Sequence, residues 1–149
     1  MLKIGIDPGA SGAVVVLDDG QPIYFCKMPI MKVGSHTRVN ASALAAILRR
    51  MQGVAFLEQV GAMPGQGTAS MFSFGHSCGV VVGVLGALEI PVTMVTPQSW
   101  KKRAGLIGQD KDASRSKAIQ MWPAWRELDK KGVGQAYADA AFIALYGIE

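Results

Sequence analysis

The sequence predicts an α/β fold, a five-stranded sheet flanked by helices, in a single domain spanning residues 1–149. Three observations carry that expectation. Apolar runs at residues 4–6, 13–17 and 21–28 are separated by the tight turns Pro8-Gly9 and Asp18-Asp19-Gly20, the pattern of an antiparallel meander. Two further apolar runs, residues 54–57 and 90–95, alternate with stretches of helical spacing. The chain has 149 residues, 50% of them apolar and 17% charged, enough for one well-filled core and too apolar for disorder.

Each element has a local reason. Ile4 and Ile6 flank Gly5 in a short buried strand that ends on Asp7. A carboxylate closing a core strand is costly unless something compensates it. Two readings stay open: Asp7 holds a hard divalent cation such as magnesium or manganese, or it caps the turn that follows. Residues 29–39 are irregular and polar, with Lys32, His36 and Arg38, and read as a mobile loop with His36 on the surface. Asn40 caps a helix that carries Leu44, Ile47, Leu48 and Met51, and Gly53 ends it. Residues 54–57 then form a fully buried strand closed by Glu58, which repeats the opening pattern. Two such cases in one small domain point to neighbouring strands delivering both acids to one sheet edge. The alternative is Glu58 as a solvated residue at a strand exit.

The loop at residues 61–67, with Met63, Pro64 and Gln66, is glycine-rich but lacks the Gly-Lys-Ser/Thr of a phosphate loop, so it reads as a flexible rim beside Glu58. Thr68 or Ser70 starts a helix running to about Leu88. Its Gly75, Gly79 and Gly83 share a face that lets a helix or the sheet approach closely, or that serves as a dimer contact; His76 reads as a packing or hydrogen-bonded residue. Thr96 and Pro97 open a helix with Gln98, Trp100, Lys101 and Lys102. After a break at residues 105–108, Asp110 or Asp112 caps a helix with Arg115 and Lys117 exposed, stopped by Trp122-Pro123. Trp125 reads as a core or hinge residue, and residues 125–134 as a polar connector. The last helix, residues 135–146, has a small apolar face of Ala136, Ala140, Ile143 and Ala144. Asp139 borders that face, as a third acid for the same cluster or as a plain surface aspartate.

Net charge is +4 and unevenly placed. Lys101, Lys102, Arg103, Lys111, Arg115 and Lys117 make residues 101–117 basic, which suits a polyanion or a solvated helix face. Cys26 and Cys78 stand far apart in no metal-like spacing, as in a reduced cytosolic protein. The longest greasy stretch, residues 78–88, is interrupted by glycines and falls short of the roughly 20 residues of a bilayer span. No secretory signal precedes the first strand. The expectation is a cytoplasmic protein with no membrane association.

Five motifs now stand in order: Gly5-Ile6-Asp7-Pro8-Gly9; Leu57-Glu58-Gln59 with Ala62-Met63-Pro64; Val95-Thr96-Pro97-Gln98-Ser99-Trp100-Lys101-Lys102; Lys111-Asp112-Ala113-Ser114-Arg115; and Ala138-Asp139-Ala140 through Ala144-Leu145-Tyr146-Gly147. Each is weak alone, but their joint order resembles the RuvC-type Holliday junction resolvases of the ribonuclease H-like fold, the phage or prophage branch most closely. The likeness spans nearly the whole chain. It implies a mixed sheet and a magnesium- or manganese-dependent endonuclease acting on branched DNA as a twofold homodimer, in a bacterial or phage-infected cell and without a nucleotide cofactor. It implies that Asp7, Glu58 and Asp139 surround two metal ions about 4 Å apart, which activate a water and stabilise the leaving oxygen. Lys101 or Lys102, and Lys111, stand where the family contacts the DNA backbone; Arg103 and Arg115 extend that basic set.

Two departures from the family qualify the resemblance. Where bacterial members carry junction-opening aromatic residues after the glutamate, this chain offers Met63. Family members usually place a second acid or histidine about one turn before the last-helix carboxylate, where Gln135 and Ala136 stand here. An inactivating substitution, a natural loss, or another ligand such as Asp129 would each account for Gln135. A non-catalytic junction-binding protein is therefore the competing reading. An actin-like or sugar-kinase ATPase also begins with a strand, an aspartate and a glycine turn, but it needs two such domains and a second phosphate loop.

Overall fold

The predicted meander forms from β1 (Leu2–Asp7), β2 (Ala13–Asp18) and β3 (Gln21–Lys27) in the computed structural model, which describes residues 1–147. There follow β4 (Ile30–Val33), β5 (His36–Val39), α1 (Ala41–Leu48), β6 (Gly53–Glu58), α2 (Thr68–Ala87) and β7 (Val92–Val95). The chain continues through α3 (Pro97–Ala104), α4 (Ala113–Met121), a 3-10 turn (Arg126–Asp129) and α5 (Lys131–Tyr146). The main sheet has the order β3-β2-β1-β6-β7. β1 pairs antiparallel with β2 and parallel with β6, and β6 pairs parallel with β7, so the five-stranded sheet is mixed as expected.

Alternation along the strands assigns the helices to its two faces. Ile4 and Ile6 of β1, Val14 and Val16 of β2, and Ala55 and Leu57 of β6 pack with Leu44 and Leu48 of α1 and with Val81 and Leu85 of α2. The intervening residues, Ala13, Val15, Leu17 and Phe56, pack on the other face with Trp100 of α3, Ala118 of α4 and the apolar side of α5. In β1 the residue facing α5 is Gly5. A Cβ there would overlap the backbone carbonyl of Ala140 and come within 2.9 Å of the Ala144 Cβ, so α5 lies against the strand with no room for any side chain. The alanines of α5 and the glycine of β1 are two halves of one close approach.

Several caps form as the sequence indicates. Asn40 Oδ1 accepts from the Ala43 amide at 3.1 Å and Thr96 Oγ1 from the Ser99 amide at 3.2 Å. Trp125 is a core residue, its ring 5.8 Å from that of Tyr137 and 5.0 Å from that of Phe25. Other expectations fail. Residues 29–39 are not an irregular loop but the hairpin β4–β5, with Val33 opposite His36 and a two-residue turn in which Gly34 takes φ +62°. Its β-branched residues alternate with charged ones, which hid the strand pattern under a polar composition. Gly53 opens β6 rather than ending the helix. The connector at residues 125–134 holds the 3-10 turn and the first turn of α5. Lys117 is half-buried, its ammonium donating to the Ala104 carbonyl and lying 5.3 Å from the Tyr146 ring.

α2 departs furthest from expectation. A Cβ at Gly75, Gly79 or Gly83 would meet nothing within 4 Å, so this glycine ridge packs on neither a helix nor the sheet, and His76 beside it is exposed. The helix span, Thr68–Ala87, is the one the sequence indicates, and an 18-residue window of it has a mean hydropathy of 1.4, long and apolar enough by those measures to cross a membrane.

Candidate active site

The strand register brings two acids together. Ile6 of β1 lies opposite Leu57 of the parallel neighbour β6, so Asp7 and Glu58 form the next pair outward at the same edge of the sheet. Both fall on the alternation that faces α5. The Gly5–Ala140 contact then holds α5 so that Asp139, one residue before Ala140, reaches the same edge. The three acids sense one another. Burial first, then the charges of Glu58 and Asp139, push the Asp7 carboxyl up to about 8, against a smaller downward pull from Lys101. Glu58 is raised by burial and by Asp139, and opposed by a hydrogen bond from Trp100 and by Lys101. Asp139 is raised by burial, and opposed by hydrogen bonds from Ser114 and Gln135 and by Lys101.

Hydrogen bonds fix two of the carboxylates. Trp100 Nε1 donates to Glu58 Oε2 at 2.6 Å. Ser114 Oγ donates to Asp139 Oδ1 at 2.6 Å. Gln135 Nε2 donates both to Ser114 Oγ at 2.5 Å and to the same Asp139 Oδ1 at 3.1 Å. Gln135 thus stands one turn from Asp139, as its position in the sequence requires, and presents donors to it. As the side chains stand, no three of the His, Cys, Asp and Glu residues converge into a ready-made metal cage among the described residues. The donor set still suits a cation: hard carboxylate oxygens, partly dehydrated and mutually repelling, with one ammonium nearby.

A cleft of about 390 Å³ opens beside Asp139, lined among others by Trp100, Lys101, Lys111, Ser114 and Gln135. Of the basic residues, Lys101 and Lys111 are exposed and line this cleft, and Lys102 is exposed on α3. Arg103 instead donates to the Tyr146 carbonyl at 2.9 Å, which ties α3 to the end of α5. Arg115 is not a free surface cation. Its guanidinium grips both oxygens of Asp112, at 2.8 and 3.1 Å, and donates to the Leu128 and Asp129 carbonyls. It clamps the start of α4 to the 3-10 turn, a role that spacing alone does not reveal. Asp129, considered as a substitute ligand, pairs with Arg126 at 2.8 Å instead.

Met63 is 67% exposed in the loop before α2. Sequence reasoning missed an aromatic neighbour: Phe72, 64% exposed on α2, has the Arg38 guanidinium 5.5 Å from its ring centroid. Arg38 also donates to Ser73 Oγ at 3.1 Å, so the hairpin β4–β5 is tied to α2 at this point. Sequence reasoning also missed the roles of Ser114 and Trp100. Both residues stand in the sequence motifs, but their partners lie 25 and 42 residues away in the chain, where no local spacing points to them.

No protein-family model matches this chain. No curated protein matches it in sequence. Among solved structures it is similar to T. thermophilus RuvC in complex with Holliday junction substrate, with a TM-score of 0.62, 17% identity, and coverage of 98% of this chain and 92% of that one. A second T. thermophilus RuvC structure gives a TM-score of 0.58 and 18% identity over the same shares. At these identities the likeness carries the fold, and the chain has the RuvC-like, ribonuclease H-like fold that its motif order implied.

Proposed function

We propose that this chain is a divalent-metal-dependent endonuclease that cuts branched DNA at four-way junctions. The carrying observation is the meeting of Asp7, Glu58 and Asp139 at one sheet edge, beside Lys101 and a cleft that also exposes Lys111. That the RuvC neighbour holds a Holliday junction supports the choice of substrate. The kinship to the phage or prophage branch and a site of action in the cytoplasm rest on the sequence alone.

The chemistry assigns each residue a task. Asp7, Glu58 and Asp139 supply hard oxygens for magnesium or manganese. A divalent ion held there supplies the Lewis acidity that phosphodiester hydrolysis needs. Trp100 fixes the rotamer of Glu58, and Ser114 with Gln135 fixes that of Asp139. Lys101, Lys102 and Lys111 neutralise backbone phosphates and carry little sequence information. Arg103 and Arg115, already engaged within the fold, contribute at most through their field. Phe72 offers a ring face on which an unpaired base can stack, a role for which Met63 lacks the ring.

A labelled synthetic four-way junction, titrated with Mg²⁺ or Mn²⁺, tests the proposal. Paired nicks that require the metal are expected, and Phe72→Ala is expected to weaken junction binding by several-fold more than Met63→Ala. Binding without nicking under every metal would instead favour the second reading, a junction-binding protein without activity, which Gln135 motivates.

A twofold dimer belongs to the same proposal, since a junction has approximate twofold symmetry. The open ridge of Gly75, Gly79 and Gly83, with exposed Val82, is the face available for a second copy. Sedimentation equilibrium is expected to return twice the chain mass, and Gly79→Gln to shift it toward one. A wild-type chain that stays single at tens of micromolar would contradict this.

A further inference from the structure

We infer that the acid cluster is built to hold one divalent cation rather than two, with the nearby Lys101 ammonium as its second positive charge. This rests on reading the cluster as a cation site, and it departs from the two-ion arrangement that the resemblance implies.

The surroundings of Asp139 decide it. Asp139 Oδ1 accepts from both the Ser114 O–H and the Gln135 N–H, which fills its lone pairs, whereas Glu58 Oε2 accepts only from the Trp100 N–H and keeps one. The Asp7 and Glu58 carboxylates, with Asp139 Oδ2 and water, complete the shell of one ion. A second ion needs a further anionic ligand beside Asp139. That place is filled by Gln135, whose amide nitrogen, a donor, faces Asp139, and by the Ser114 hydroxyl between them.

No other acid takes that place. Asp112 is held by Arg115 and Asp129 by Arg126. Asp110 lines the cleft exposed to solvent and accepts from the Asp112 amide at 3.1 Å. Cys78 lies close enough to feel the charges of Asp7 and Glu58, but burial and those charges raise its thiol pKa, and a thiol is a poor ligand for magnesium or manganese.

The charges agree with the oxygens. Three carboxylates and one ammonium leave two negative charges, which a single divalent ion cancels. A second ion would leave the half-buried site two charges positive, more than one phosphodiester returns.

The test is a Mn²⁺ titration of the DNA-free protein at pH 8, with free ion followed by electron paramagnetic resonance and heat by calorimetry. One Mn²⁺ per chain is expected, and Asp7→Asn is expected to lose it, which assigns the ion to the cluster. Gln135→Glu, which restores an acid beside Asp139, is expected to take a second ion. Lys101→Met is expected to tighten the first about tenfold. Two ions of similar affinity in the wild-type chain would overturn the inference and leave the nuclease reading standing. An ion retained by Asp7→Asn, or a single ion in a folded Gln135→Glu, would overturn it as well. No bound ion together with no junction cleavage would remove both readings.

Discussion

Asp7→Asn is expected to abolish metal-dependent cleavage of a four-way junction while leaving junction binding within about twofold. The loss should be at least on the order of a hundredfold to a thousandfold, the scale of removing one group that stabilises charge in a transition state. Asp7 is the most deeply set of the three acids, and its raised pKa reflects both burial and the two neighbouring carboxylates. The same substitution should stabilise the metal-free protein above neutral pH.

The sign follows from linkage. The folded Asp7 carboxyl titrates near 8, whereas an unfolded aspartate titrates near 3.9. Between those values the folded state holds a proton that the unfolded state has released, so stability falls as pH rises through that window. Above about pH 8 the charged carboxylate destabilises the fold in full, and asparagine carries no such charge. A gain of roughly 1–3 kcal/mol at pH 8.5, or about 3–10 °C in Tm, is expected. Glu58 and Asp139, also raised, keep part of the pH dependence in the variant. Added Mn²⁺ should raise the Tm of the wild-type chain and leave that of Asp7→Asn unchanged. Undiminished cutting by the variant, or a wild-type Tm flat from pH 5 to 9 without metal, would remove the role assigned to Asp7.

Gly5→Ala is expected to destabilise the fold by about 3 kcal/mol or more, and Gly5→Val to prevent stable folding. The obstruction is the Ala140 carbonyl, a backbone atom of a helix whose inner face is wholly buried, so no rotamer change relieves it. α5 must move as a body, and with it Asp139. Cleavage by the folded fraction of Gly5→Ala should therefore fall further than its population explains. Gly132→Ala, in the exposed first turn of α5, is the matched control. It removes a helical glycine where a Cβ meets nothing within 4 Å, and should be neutral or stabilising by up to about 1 kcal/mol in urea unfolding. Equal losses at both positions would mean that α5 does not depend on the glycine gap.

Much of this design is written locally. The apolar runs ending on Asp7 and Glu58, the Asn40 and Thr96 caps, and the alanine-rich last helix are set by neighbours within a few residues, so periodicity and capping reveal them. The hairpin β4–β5 escaped because Lys32, His36 and Arg38 outweigh a short strand pattern that only a two-residue turn completes. Arg115 escaped for a related reason. Spacing shows that a cation is present, not that it will close on Asp112 and two carbonyls from the next element.

By itself, the sequence determined which residues form the five strands of the main sheet, where three acids fall along the chain, and that α5 and Gly5 are small. Only the tertiary structure decided that those acids meet, because their meeting depends on parallel register between β1 and β6 and on the gap at Gly5. It also decided that Gln135 and Ser114 turn donors toward Asp139. The meeting of the acids and the Ser114 contact join residues far apart in the chain, and their free energy exists only once the sheet, α4 and α5 have closed on one another.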